Sequence, residues 1–75
     1  MDMELTKIQM ENDFNELAEQ YEGAAENELM FALGAPDAEF TKMHTQNVVQ
    51  NHEMAKFYRY LASRALDLIE SYEED

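Results

Sequence analysis

The two histidines, His44 and His52, have the widest chemical range of any side chains in this chain, because imidazole can bind a metal ion or transfer a proton. A metal site could be built from them together with Glu19 and Glu28. However, neither histidine has a glutamate three residues before it, as helical di-iron proteins require. Lys56 stands where a zinc metalloprotease motif that starts at His52 would carry its second histidine. The sequence therefore predicts no metal site and no cofactor.

Nucleophilic and phosphate-binding motifs are also missing from the sequence. No serine or threonine stands in a recognisable nucleophile motif, no glycine-rich loop could bind a phosphate group, and there is no cysteine. The lack of cysteine excludes disulfides and thiolate metal sites, and it suits a reducing cytoplasm. We therefore expect a chain without catalytic residues that is not an enzyme.

Acidic side chains dominate the charge of the chain and are unevenly distributed. There are 17 acidic residues against five basic ones, for a net charge of −12. Residues 1–39 and 67–75 hold almost all of the acids, whereas residues 40–66 are net basic. So strong a negative charge disfavours direct binding to nucleic acid or to an anionic membrane.

Four glutamates recur every three or four residues along one helical face: Glu16, Glu19, Glu22 and Glu26. This acidic face has two interpretations. It could imitate the phosphate backbone of a nucleic acid, as in an acidic inhibitor, of the sort that phages encode, which blocks a basic nucleic-acid-binding surface of a host protein. Alternatively, it is an ordinary solvated helix face, which is the more common meaning of such a charge run.

No segment of the sequence predicts export or a membrane span. The first residues have neither the basic segment nor the apolar run of a secretory signal. No apolar run approaches the roughly 18 residues that cross a bilayer as a helix. We therefore expect a cytoplasmic protein that does not bind membranes.

One break divides the chain, at Gly34-Ala35-Pro36-Asp37. A glycine can end a helix in the left-handed conformation, and a proline fits the first turn of the next helix. The sequence therefore predicts a single helical-hairpin domain over residues 1–75, with helix 1 over 4–33, a turn at 34–37, helix 2 over 37–72 and an acidic tail at 73–75. A connection this short makes the two helices antiparallel neighbours.

Apolar residues recur every seven residues in both helices, as in a coiled coil. The small ones, Ala18, Ala25, Ala32, Ala55 and Ala62, are expected to face each other inside the hairpin. The large ones are expected to line one side of it and to bind a partner, and Phe57 joins them because aromatic residues are enriched at protein interfaces. These predicted partner-binding residues, called the stripe below, are Met10, Phe14, Leu17, Tyr21, Met54, Phe57, Tyr58, Leu61 and Tyr72.

A two-helix hairpin covers only part of such a stripe, and a contiguous exposed apolar patch is unusual for a monomer. We therefore expect a second copy or a different protein to complete a four-helix bundle, with a homodimer favoured. The chain is then a small adaptor, chaperone or assembly protein. Asn47 interrupts the apolar pattern, and it could set the register of the bundle, contact a partner or mark a solvated end of the stripe.

An antiparallel hairpin closed at residues 34–37 also predicts which charges face each other. The basic part of helix 2 should lie beside the acidic part of helix 1. The predicted pairs are Lys42 with Glu28, Lys56 with Glu16, Arg59 with Glu11 and Asp13, and His52 with Glu19. Each exposed pair contributes at most about 1 kcal/mol, so the set favours one orientation more than it adds stability.

The sequence identifies no family. Its layout, with two helices joined at Pro36-Asp37, resembles the needle subunits and small helical-hairpin chaperones of type III secretion systems. The resemblance covers the architecture and this dipeptide, and needle subunits are usually less acidic. It implies a helical hairpin and carries no functional residue over to this chain.

Overall fold

The structure is a helical hairpin with a short third helix. The computed structural model describes the backbone of residues 3–73 and the side chains of residues 4–65, 67 and 69–71. Within this range α1 spans Met3–Leu33, α2 spans Ala38–Ser63 and α3 spans Ala65–Glu73, and there is no strand. α1 and α2 pack along their length, which confirms the predicted all-α hairpin. The predicted partner-binding Tyr72 and the predicted acidic tail at 73–75 lie outside the described side chains.

Local hydrogen bonds close the turn between α1 and α2. Asp37 has extended backbone angles, and its Oδ1 accepts a hydrogen bond from the backbone N–H of Phe40 at 3.0 Å, so Asp37 caps α2. Thr41 Oγ1 donates to the carbonyl oxygen of Asp37. Gly34 does not adopt the left-handed conformation that was expected. Its N–H instead donates to the Met30 carbonyl at 3.1 Å, which continues the helical pattern to the end of α1.

The range predicted as helix 2 is divided at Arg64, which the sequence analysis did not anticipate. Arg64 leaves helical geometry, with φ −109° and ψ 13°. The Ser63 hydroxyl donates to the Tyr60 carbonyl at 2.7 Å, and a bond of this kind competes with the helical ladder. The Arg64 guanidinium donates to Asp67 Oδ2 at 2.7 Å and to the Tyr60 hydroxyl at 3.1 Å. These contacts accompany the end of α2 without a glycine or a proline.

The core of the hairpin is made mainly of alanines. The buried residues are Ala18, Ala25, Ala55, Ala62, Ala65 and Ile69. The first four were predicted to lie inside the hairpin, while Ala32, predicted beside them, is half-buried. Ile69, in α3, is the only large side chain among these buried residues, and no large side chain described in α1 or α2 is buried. The packing of α1 on α2 therefore removes little apolar area from water, and the hydrophobic contribution to stability is small.

The hairpin forms a single layer of helices. Its principal dimensions are 54 × 19 × 12 Å. The smallest of these matches the diameter of one helix with its side chains, about 10–12 Å. No second layer covers either broad face of the hairpin within the described part of the chain, so both faces are open to solvent or to another chain.

The side-chain contacts of Arg59 across the hairpin differ from the predicted ones. Arg59 does not bind Glu11 or Asp13; its guanidinium donates to Glu22 Oε1 at 3.0 Å and to Asn15 Oδ1 at 2.8 Å. The reason is that each side chain leans toward the N-terminus of its own helix. In an antiparallel pair, a long side chain of α2 therefore reaches a partner nearer to the turn than the residue opposite its backbone.

The other predicted charge pairs are also wrong. Among the side chains that the structure describes, Lys42, Lys56 and His52 form no ion pair across the hairpin. Glu28 binds His44 instead of Lys42. Both lysines are exposed, so their charges stay in solvent instead of neutralising the acids of α1.

Candidate functional site

Four residues of the stripe form an aromatic cluster centred on Tyr58. The Tyr58 ring lies 6.2 Å from the Phe14 ring and 5.7 Å from the Tyr21 ring, with interplanar angles of 23° and 13°. Phe57 contacts Tyr58 edge to face at 5.7 Å. Such ring pairs each contribute about 0.5–1.5 kcal/mol beyond their buried area. The cluster therefore joins α1 to α2 on one broad face of the hairpin.

The remaining described residues of the stripe stay partly open. Met10, Leu17 and Leu61 are half-buried. Met54 is 38% exposed and Phe57 is 48% exposed. Every described residue of the stripe therefore keeps apolar area that another chain could cover, while its role in binding stays a prediction.

Four polar residues lie between the aromatic cluster and the turn, and we call them the polar cluster: Glu28, His44, Asn47 and Asn51. His44 Nδ1 lies 2.5 Å from Glu28 Oε2, and Asn47 Nδ2 lies 3.4 Å from the same oxygen. Asn51 Nδ2 donates to the backbone carbonyl of Asn47 at 3.0 Å. The side chains of His44 and Glu28 are only 20% and 24% exposed, so this pair is largely shielded from water.

The polar cluster continues the face that carries the aromatic cluster. Glu28 follows Tyr21 by seven residues, and Asn51 and His44 precede Tyr58 by seven and fourteen residues. A seven-residue spacing keeps side chains on one side of a helix that packs against a neighbour. The two clusters are therefore consecutive parts of one surface.

Hydrogen bonding keeps the Glu28 carboxyl ionised. The hydrogen bond with His44 lowers the pKa of Glu28 most; partial burial opposes this, and the Asn47 amide and the charge of His44 lower the pKa further. An ionised carboxylate only accepts hydrogen bonds, so we assign the proton of the short contact to His44 Nδ1. The second ring nitrogen, Nε2, then accepts a hydrogen bond when the imidazole is neutral and donates one when it is protonated.

Glu28→Gln is expected to remove an acid-dependent part of the free energy of unfolding. A carboxyl whose pKa is lowered by folding stabilises the folded state above its unfolded-state pKa of about 4.3, and it loses this effect as the pH falls through the folded value. The destabilisation by Glu28→Gln, measured by urea denaturation, should be at its full size from about pH 5 upward and should shrink below about pH 4.

Glu19→Gln is the matched control for this measurement, because the exposed Glu19 has no hydrogen bond or ion pair in the described structure. Its effect on the free energy of unfolding should be small. A destabilisation by Glu28→Gln that is the same at pH 3 and pH 5 would contradict the assigned ion pair.

Two exposed rings follow the polar cluster at the turn, and we call them the tip aromatics: Phe31 and Phe40. They are 61% and 46% exposed, and their ring centres lie 5.5 Å and 6.3 Å from that of His44. The partner-binding prediction missed both, although the seven-residue series through Leu17 ends at Phe31. Aromatic rings therefore lie on both sides of the polar cluster along this face.

The acidic face lies on the other side of the buried alanines. Tyr21 and Glu22 follow Ala18 by three and four residues. On a helix, the residues at these two spacings lie on either side of the first residue, so Tyr21 and Glu22 flank Ala18 on opposite sides. Glu16, Glu19 and Glu26 are exposed, whereas Glu22 is held by an ion pair with Arg59. A groove on this opposite face is lined by Glu22, Ala25, Glu26, Leu29, Val48 and His52.

The structure does not bring the two histidines together. His44 binds Glu28 on the face of the stripe, while His52 lines the groove on the opposite face. Across the side chains that the structure describes, no three histidine, aspartate or glutamate residues are grouped as metal ligands. The set of His44, His52, Glu19 and Glu28 considered from the sequence is therefore not assembled here.

Comparisons with known proteins found no relative of this chain, so its function is inferred from its geometry. The chain matches no known protein family, no curated protein and no solved structure. In the described residues, no helix combines the length and the apolar character that crossing a bilayer requires. The features that remain are the stripe, the polar cluster, the tip aromatics and the acidic face.

Proposed function

We propose that this chain is a non-enzymatic protein-interaction module, such as a small adaptor, chaperone or assembly protein. It binds by packing the stripe against helices of another chain, either a second copy or a different protein, and a four-helix bundle results. The surface it recognises is an apolar protein surface and neither a nucleic acid nor a membrane. No cofactor takes part.

The observation that carries this proposal is a core in which Ile69 is the only large side chain buried among the described residues, while the other buried ones are alanines. Full burial of one such side chain contributes about 1.5–3 kcal/mol, and among the described residues the hairpin alone obtains this from Ile69 only. A chain of 75 residues without a disulfide needs a further source of stability. Covering the stripe would bury several aromatic and methionine side chains at once.

The composition of the stripe also supports binding to protein. It is made of aromatic residues, methionine and leucine, and it carries no charge. Methionine adapts its shape to a partner, and aromatic residues are enriched at interfaces. An apolar patch rimmed by charged residues is typical of a protein-binding surface.

Absolute mass from light scattering after size exclusion, combined with binding of the apolar dye ANS, tests this proposal. If the stripe is an interaction surface, the chain is either an oligomer or an 8.8 kDa monomer that binds the dye. Met54→Asp should then reduce assembly or dye binding, and Leu29→Asp on the opposite face should not. A monomer that binds no dye and unfolds cooperatively would contradict the proposal.

A second candidate function is an acidic inhibitor, such as a phage-encoded one, that blocks a basic nucleic-acid-binding surface of a host protein. It is supported by Glu16, Glu19 and Glu26, which are exposed and unpaired within the described structure. Such binding should weaken steeply with added salt. Glutamine at all four positions of the acidic face should remove it, and Met54→Asp should leave it intact. Salt-insensitive binding to the target would rule this alternative out.

A further inference from the structure

We propose that the partner of the stripe is a second copy of this chain, packed with its turn at the same end, so that the two polar clusters face each other. This inference rests on the proposed function and adds the identity and the direction of the partner. Three features support it: the size of the face, the order of side chains along it and the hydrogen-bonding groups of the polar cluster.

The face is large enough for a stable dimer. The hairpin measures 54 by 19 Å across its broad face, which is about 1,000 Å² per copy and about 2,000 Å² for two. Stable protein interfaces bury about 1,200–2,000 Å² in total. A second hairpin has the same outline, so it covers the face from end to end, and two layers of two helices make a four-helix bundle.

The order of side chains along the face distinguishes the two possible directions. From the open end to the turn it runs aromatic cluster, polar cluster, tip aromatics. A copy in the same direction places the aromatic cluster, the polar cluster and the tip aromatics each against the same group of the other copy. A copy in the opposite direction, aligned end to end, places Glu28 level with residue 8 of the other copy, where the nearest stripe residue is Met10, because the middle of α1 lies near residue 18. The Glu28 carboxylate, covered by apolar side chains, would lose water without gaining hydrogen bonds, which is strongly unfavourable.

The polar cluster has hydrogen-bonding groups to offer to its copy. Glu28 Oε1 and His44 Nε2 have no partner among the described side chains. In the same-direction dimer, His44 Nε2 of one copy faces the Glu28 carboxylate and the Asn47 amide of the other. A neutral imidazole accepts from the amide, and a protonated one donates to the carboxylate. The cluster therefore keeps its hydrogen bonds when it is covered.

The charge of the chain weakens this dimer without blocking it. Each copy carries −12, but the stripe is uncharged and the acidic face lies beyond the buried alanines. Apart from the Glu28 carboxylates, which face the His44 imidazole of the other copy, the acids of the two copies repel each other over a distance, and salt screens this repulsion. Added salt should strengthen the dimer, which is the reverse of the dependence expected for the acidic inhibitor.

Distances between spin labels on the two copies test the direction. The chain has no cysteine, so one introduced cysteine carries one label per copy. In Gly34→Cys, the added Cβ meets only the Met30 carbonyl, at 3.6 Å, which is an ordinary contact. Helix layers lie about 10 Å apart, so labels at the turn should be separated by less than about 30 Å in the same-direction dimer. In the opposite direction they would be separated by nearly the 54 Å length of the hairpin.

Gly23→Cys is the matched control. A Cβ at Gly23 meets nothing within 4 Å, and the residue lies closer to the middle of α1. The distance between labels at residue 23 should therefore depend less on direction than the distance at residue 34. Agreement of both distances with one arrangement excludes an artefact of labelling at the turn.

The double variant Glu28→Leu, His44→Leu tests whether the polar cluster sets the direction. Replacing a shielded ion pair by apolar side chains is often neutral or stabilising, so this variant should still fold and assemble. With the polar cluster weakened, we expect short and long distances to occur together for the label at residue 34. A single short distance that persists would show that the polar cluster does not choose the direction.

The outcomes separate this inference from the proposed function. A mass of about 18 kDa, twice the 8.8 kDa of the chain, with a short distance at residue 34 supports the same-direction dimer. A dimer with only the long distance overturns the direction. A monomer that binds ANS overturns the second copy as partner and leaves the proposed function standing. A monomer that binds no dye overturns both.

Discussion

Leu17→Asp and Leu61→Asp should each leave the chain monomeric at concentrations where the wild type is assembled. Both leucines are half-buried in the stripe. A carboxylate at either position would lose its water when the stripe is covered, and in a dimer this cost arises in both copies. We expect the dissociation constant to rise at least about 100-fold, which corresponds to about 2.7 kcal/mol. Sedimentation equilibrium over a series of concentrations measures this change.

Leu29→Asp is the matched control for these variants. It is the same substitution in α1, at a residue that is 49% exposed and lines the groove on the opposite face. We also expect charge reversal at Glu19 and Glu22 to be tolerated, because the Glu22–Arg59 ion pair is exposed and such pairs are weak. Assembly should be unchanged in all three control variants.

A substitution at a more open position separates loss of assembly from loss of folding. Met54 is already 38% exposed in the hairpin, so Met54→Asp should disrupt assembly while the helices remain formed. Circular dichroism at matched concentrations checks the helix content. If either Leu17→Asp or Leu61→Asp assembles like the wild type, the stripe is not the interaction surface.

Ala18→Leu is expected to destabilise the hairpin itself. Ala18 has 0% exposure and lies where α1 packs on α2, so a leucine there must push the helices apart or adopt a strained rotamer. Overpacking of this kind costs about 1–3 kcal/mol. That is a large share of the 3–5 kcal/mol or so that a core of this size supplies. Urea denaturation at one fixed chain concentration, followed by circular dichroism, measures the change.

Ala38→Leu is the control for this prediction, because Ala38 is exposed in the first turn of α2. The same substitution there should change the free energy of unfolding by no more than about 0.5 kcal/mol. Ala55→Leu, on the facing helix at 2% exposure, should behave like Ala18→Leu. Wild-type stability in both buried variants would mean that α1 and α2 are less closely packed than described.

The sequence predicts the hairpin well, because the signals for it are periodic and local. The recurrence of Ala18, Ala25, Ala55 and Ala62 every seven residues identified the close helix contact, and Pro36-Asp37 identified the turn. The end of α2 at Arg64 could not be predicted in this way. This helix end involves hydrogen bonds from the Ser63 hydroxyl and the Arg64 guanidinium, and no glycine or proline marks it in the sequence.

The candidate site was predicted in part. The spacing of Phe14, Tyr21 and Tyr58 placed them on one face, where their rings do stack. The pairing of Glu28 with His44 was missed, because matching residues by number ignores the face of α2 on which each one lies: His44 contacts α1, whereas Lys42 is exposed. These two residues are two positions apart, which turns a side chain by about 200° around a helix and moves it to another face.

Because the core is mainly alanine, part of the side-chain entropy is lost only when a partner binds, and not when the hairpin folds. Alanine has no side-chain rotamers to lose, so the alanine part of the contact between α1 and α2 costs only the freedom of the backbone. The rotamers of Met54, Leu17 and Leu61 are restricted further only when a partner covers them. A partner therefore binds two helices whose relative position is set by alanines, which have no rotamers. The larger side chains on these helices can still change rotamer. Affinity for the partner depends on how much of that remaining freedom is lost on binding.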